Sequence, residues 1–292
     1  IGILIIWGLI SCSDRDENQE PTYGKVNVAL SVTLSEPENV HSLARSYTDS
    51  EIKNVDVLVF DEEGKFMERV KVDGGELTPS GTEISFSIRL DATSKRRVIH
   101  LVTNGRSPDG GTDRLNFNDI TSGMLESAAI PALGTTAMIF GSLEDQVMPL
   151  IMWGRVELPT GINIVTKADG VKLLRVAACV QVKKGVGDAT NGLNDFIIQS
   201  VTVDKGFDRG YLTPANYSTV VTPVTGRPLS GSTLNYANGW SDGETPSLYI
   251  YERNCTVADY MGVIIKAKYK GKEGYYKAVS YTHLRAHETE LH

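Results

Sequence analysis

The chain has 292 residues and a formal net charge of −7, an acidic balance that excludes a phosphate-binding surface built on clustered Lys and Arg. Its one dense basic run, Lys95-Arg96-Arg97, has the pattern of a solvated strand entrance. Cys12, Cys179 and Cys255 are its three cysteines, too few for a disulfide framework and without metal-ligand spacing. The length suits two compact domains of about 130 residues each.

Residues 1–10 read IGILIIWGLI, an apolar run too short to cross a membrane as a helix and suited to the hydrophobic region of a signal peptide. The initiator Met and a basic leading segment are absent, so residues 1–11 are expected to be the remnant of a signal. Leu9-Ile10-Ser11-Cys12 resembles the lipobox of bacterial lipoproteins. That resemblance implies diacylation of the Cys12 thiol, cleavage before it, and acylation of the new amino group. Residues 12–24 form a hydrophilic stretch that cannot bury a core and is expected to be a lipidated tether. Its acidic part is similar to the segment behind the lipidated Cys of Bacteroidetes lipoproteins exported to the cell surface.

From here period-two alternation dominates, broken by Gly, Pro, Asn and Asp clusters, which predicts an all-β sandwich or barrel. Val26, Val28, Leu30, Val32 and Leu34 alternate with small and polar residues, predicting a strand with one buried face. Residues 55–60 and 66–72 predict a hairpin turning at Gly64. Ile84, Phe86, Ile88 and Leu90 mark the next strand, and residues 98–103 another. Asn118 is placed to cap a helix over residues 118–128, with Gly123 working against it. Residues 147–158, containing Trp153, predict the last buried strand of the first half.

Pro159-Thr160-Gly161 is a turn signal and divides the body into domains at 25–160 and 161–279. Alternation resumes at Leu174, Val176, Ala178, Val180 and Val182, with Cys179 a small buried thiol. Residues 196–203 predict a strand, and residues 214–243, rich in Gly, Pro, Ser, Thr and Asn, a long surface connection. Residues 248–251, followed by a structural Cys255, precede a pair of strands at 263–269 and 275–279, turning through residues 270–274. The tail at 280–292 neither alternates nor looks like a domain end. It resembles adapter or vector sequence, which excludes it from the expected fold and assigns His283, His287 and His292 to that tail and not to a metal site.

His41 and His100 are the remaining histidines, and neither belongs to a recognisable local constellation. A Gly-x-Ser-x-Gly elbow is absent, and Gly185-Val186-Gly187 lacks the third glycine of a dinucleotide loop. Asp61, Glu62, Glu63 and Asp204 lack calcium-ligand spacing. The expectation is therefore no cofactor, no metal and no enzymatic activity.

Residues 45–64, RSYTDSEIKNVDVLVFDEEG, resemble the fimbrillin family, the type V pilins of Bacteroidales. An Arg, a Thr/Glu-containing segment, an apolar strand ending in Phe-Asp and a Gly turn follow a lipobox and one leading strand. Residues 171–178, residues 248–254 and Tyr275-Tyr276 are similar to features of the family's second domain. The resemblance implies two transthyretin-like β-sandwich domains in tandem. It also implies export as an outer-membrane lipoprotein precursor and cleavage after an Arg by a trypsin-like surface protease, which here falls at Arg45-Ser46.

Loss of residues 12–45 removes the strand carrying Val26, Val28, Leu30, Val32 and Leu34 and leaves a groove that another subunit can fill by β-augmentation. The implied function is a structural subunit of a cell-surface fimbria supporting adhesion. Its implied partners are other pilin subunits, the maturation protease and, before cleavage, the outer membrane. The family's C-terminal donor strands would follow Val279 and are missing here, so shaft, tip and anchor roles are not separated. The alternative is a non-polymerising surface adhesin or glycan-binding lipoprotein using Tyr249, Tyr251, Tyr275 and Tyr276. A secreted hydrolase is disfavoured for want of a catalytic set.

Overall fold

A computed structural model of the chain describes residues 24–34, 51–109, 111–133, 149–182, 193–206, 212–213, 232–235, 247–251, 261–280 and 289–291. Its first half contains β1 (Lys25–Leu34), β2 (Asn54–Phe60), β3 (Phe66–Asp73), β4 (Thr78–Ser80), β5 (Glu83–Asp91), β6 (Arg97–Thr103), α1 (Glu126–Ala132), β7 (Met152–Leu158) and β8 (Lys167–Arg175). These strands are hydrogen-bonded in the order β3-β2-β6-β7-β8-β1-β5-β4. The sheet folds back on itself at the β7–β8 corner, where pairing is limited to Met152↔Arg175 and Trp153↔Leu174.

Alternation explains what the resulting sandwich encloses. Val28, Leu30 and Val32 of β1 and Phe86, Ile88 and Leu90 of β5 pack against Val55, Val57 and Val59 of β2 and Ile99 and Leu101 of β6. The opposite parity of β2 and β6 supplies Leu58, Phe60, Val98 and Val102 to a second cluster, closed by Leu115, Phe117, Ile130 and Leu133 from the excursion after β6. Every residue of β2 and of β6 is therefore buried, whereas β1 buries one face.

The second half contains β9 (Ala177–Val182), β10 (Phe196–Asp204), β11 (Ser232–Asn235), β12 (Ser247–Tyr251), β13 (Met261–Tyr269), β14 (Lys272–Ser280) and β15 (Thr289–Leu291). They form one sheet in the order β11-β10-β13-β14 and another in the order β12-β9-β15. The chain is all-β in fold class, with α1 the α-helix among the described residues.

Several expectations are corrected in detail. The helix expected at 118–128 begins only at Glu126, because residues 117–119 form a single 3-10 turn and the Gly123 N–H donates to Phe66 O instead of to a helical carbonyl. The strand expected from residue 147 starts at Met152. The run at 174–182 divides at Val176: Leu174 is exposed, and Ala168, Val171 and Leu173 are the inward residues of β8. Pairing of β8 with β1 and a bulge in β8 set this phase. Residues 161–175 also belong to the first half, since β8 lies between β7 and β1, so the division expected after residue 160 falls inside that unit.

The connection expected at 214–243 contains β11, paired with β10. The β13–β14 turn is tighter than expected, with Lys270 and Gly271 at φ of 46° and 81°, the pattern of a two-residue type I′ hairpin. From the tail, Thr289–Leu291 runs parallel to β9; His283, His287 and His292 lie outside the described residues, as do His41 and Cys255.

Candidate strand-exchange site

β1 lies inside its layer, not at an edge. It pairs antiparallel with β5 from Lys25↔Asp91 to Thr33↔Glu83 and parallel with β8 from Ala29↔Lys167 to Leu34↔Leu173. Removing it would expose two strand edges together, a template for pairing with an incoming strand. Of the five alternating residues assigned to this strand, Val28, Leu30 and Val32 are at most 1% exposed. Val26 and Leu34, at its two ends, are partly buried against the same core. Each fully buried aliphatic side chain favours the seated strand by about 1.5–3 kcal/mol.

The β1–β8 ladder slips between Leu30 and Val32, where Asp169 and Gly170 stand opposite Ser31. Gly170 occupies φ +65°, a conformation that costs glycine little. Its N–H donates to Ser31 Oγ at 2.7 Å, which fills a backbone bond that the bulge removes from the ladder. Lys25 and Glu68 form an ion pair at 3.3 Å at the start of the strand, an exposed contact of small energetic weight.

Cys12, Arg45 and Ser46 lie outside the described residues. Chain order nevertheless places Arg45 and Ser46 between the end of β1 at Leu34 and the start of β2 at Asn54. A cut there separates β1 from every later strand while leaving β2 attached to the body.

Two buried polar networks, neither legible in the sequence, tie the elements of the body together. Asp56, fully buried in β2, accepts from Arg69 Nε at 2.9 Å and from Arg106 Nε at 3.4 Å. Burial pushes its carboxyl above the ordinary range, and the two guanidiniums pull back against that rise. Arg69 also grips Asp113 and covers the Phe117 ring at 3.5 Å, fixing the excursion after β6 to the sheet.

In the second network Trp153 Nε1–H donates to His100 Nδ1 at 2.9 Å. That contact places the ring proton on Nε2, which donates to Glu126 Oε1 at 2.8 Å. Arg155 Nε donates to the same oxygen at 2.7 Å, so α1 is tied to β6 and β7. Burial holds the His100 ring below its usual value, against the opposing pull of Glu126. Burial also acts to raise Glu126, but the bonds from His100 and Arg155 outweigh it and bring the carboxyl down to about 2. Trp153 and the start of α1 enclose His100 structurally, and no group of three or more His, Cys, Asp and Glu among the described residues could hold a metal.

On the second half, Tyr275 and Tyr276 are exposed on β14, and Tyr276 meets Phe196 edge to face at 5.6 Å. The side chains of Tyr249, Tyr251 and Cys179 lie outside the described set.

The model of the family described as fimbrillin-A associated anchor proteins Mfa1 and Mfa2 matches residues 17–183, more than half of the 292-residue chain, and the chain belongs to that family. The fold is similar to that of a fimbrial assembly protein from Parabacteroides distasonis at 16% identity and a TM-score of 0.58, covering 91% of this chain and 90% of that one. A candidate cell-adhesion protein from the same organism aligns at 15% identity and a TM-score of 0.59, covering 88% and 84%. The tip fimbrial protein Mfa3 from Porphyromonas gingivalis aligns at 12% identity and a TM-score of 0.56, covering 89% and 83%. No curated protein matches the sequence.

Proposed function

We propose that the chain is a structural subunit of a cell-surface fimbria, delivered as an outer-membrane lipoprotein acylated at Cys12 and assembled by β-strand exchange. A trypsin-like surface protease cuts Arg45-Ser46, β1 leaves, and an extended segment of another subunit takes its place between β5 and β8. The observation that carries this reading is the interior position of β1, with its buried row Val28, Leu30 and Val32 and two paired edges. An incoming strand with the same alternation recovers both ladders and the apolar contacts. The two domains divide after β8, so the groove belongs wholly to the first.

The chain supports this function by packing and hydrogen bonding, without a cofactor or a catalytic step of its own. The test is Arg45→Ala in the full-length gene, with fibres counted by electron microscopy and the subunit's N-terminus read by mass spectrometry. Fibres that form normally from an uncut Arg45→Ala subunit would refute strand exchange. A non-polymerising glycan-binding adhesin is the second reading, supported by Tyr275 at 70% exposure and Tyr276 at 50%; glycan-array binding by the monomer, abolished by Tyr275→Ala, would favour it.

A further inference from the structure

Between β1 and β2 the sequence offers a trypsin-like protease two bonds, Arg45-Ser46 and Lys53-Asn54. Cutting at either frees β1. Cutting at the second also severs residues 46–53 from the body, among them Ile52, whose side chain is buried in the core shared with β1.

The Lys53 side chain does not hide the second bond, because it is 41% exposed and pairs with the nearby Glu51. The backbone around it is held from three sides. Asn104 sits at φ +56° directly after β6, which turns its amide across the chain. Its Oδ1 accepts from the Lys53 N–H at 2.8 Å, and its Nδ2 donates to Glu51 O at 2.8 Å and to Leu150 O at 2.7 Å. Its own N–H donates to Asn54 O at 2.9 Å. The carbonyl oxygen of Lys53 is covered by Gly74, where a Cβ would come within 2.9 Å of it. Beyond the bond, Asn54 is 1% exposed and locked through Nδ2 to Ser107 O at 3.1 Å.

We propose that Asn104 is a positioning residue that selects the maturation cut by shielding the Lys53-Asn54 bond. Hydrolysis there requires water to add to the Lys53 carbonyl carbon and the Asn54 nitrogen to leave as an amine. A protease must first draw the flanking residues into its cleft as an extended segment, and the Asn104 bonds and the Ile52 anchor oppose that local unfolding. The body thus retains residues 46–53 after the cut, with Ile52 still seated in the groove. The role assigned to the cut rests on the strand-exchange reading, but the protection of Lys53 does not depend on it.

The test is limited trypsin digestion of the folded full chain, with new N-termini read by mass spectrometry. Asn104→Gly keeps the positive φ and removes the side-chain bonds. The expected result is that a fragment beginning at Asn54 forms at least tenfold faster in N104G than in the unsubstituted chain. Val57→Ala, matched to N104G in overall stability, is expected to leave that rate unchanged. Cleavage at Lys53 in the unsubstituted folded chain as fast as in N104G, or an equal rise in V57A, would overturn the role of Asn104. A chain cut at neither Arg45 nor Lys53 would keep the shield and refute the Arg45 maturation step.

Discussion

β1 and β2 are consecutive in sequence, similar in composition and opposite in commitment. β1 presents Val28, Leu30 and Val32 to one core and turns Asn27 and Thr33 away from it. β2 is buried along its whole length, sends alternate residues to two different cores, and carries Asp56 into a network with Arg69 and Arg106. The comparison teaches that two interior strands of one sheet can be tied to the fold by very different side-chain chemistry. β1 has one apolar face and no buried charge, while β2 has two apolar faces and an ionic brace.

The largest effect is expected in β2, where Phe60→Ala should cost about 3–5 kcal/mol as a large cavity opens in the second core. Denaturant unfolding checks it, and the loss should be equal in the cut and the uncut chain. Leu30→Ala in β1 should cost about 3 kcal/mol in the uncut chain and nothing in a chain from which β1 has been removed. An equal effect in both forms would erase the distinction between the strands.

Acid sharpens the comparison on the β2 side of the sandwich. The Glu126 carboxyl is lowered to about 2 in the fold, so its contribution is fully present above pH 4.5 and is lost as pH falls towards 2, on the order of 3 kcal/mol in total. His100 acts in the same direction. Its folded ring is held below 6.5, so below that pH the unfolded chain takes up a proton that the folded chain refuses. Glu126→Gln should flatten the stability curve between pH 4.5 and 2, as measured by thermal unfolding across that range. The smallest effect is expected from Ser31→Ala, about 1 kcal/mol for the lost bond to the Gly170 N–H. It should appear as faster hydrogen exchange at Gly170.

The strands were legible where one face meets the core. Residues 26–34 and 84–90 alternate, and β1 and β5 follow them. β2 was found through its apolar run, but its second core was not, because a strand buried on both faces loses the alternation that assigns each face. His100 belonged to no recognisable local constellation, and the Asp56 network left no local signal, since Arg106, Glu126 and Trp153 reach these residues from distant elements. β8 was misphased because the bulge at Gly170 shifts the parity of every residue after it. The grip of Asn104 on Glu51 and Lys53 spans about fifty positions and leaves no local trace in the sequence.

The most direct measurement of strand exchange is the uptake of a labelled peptide with the β1 sequence, residues 25–34, by the full chain before and after cleavage at Arg45. Strand exchange predicts uptake by the cut chain in step with release of the native strand, and none by the uncut chain. A cut chain that keeps its own β1 and excludes the peptide under conditions where fibres assemble would contradict it.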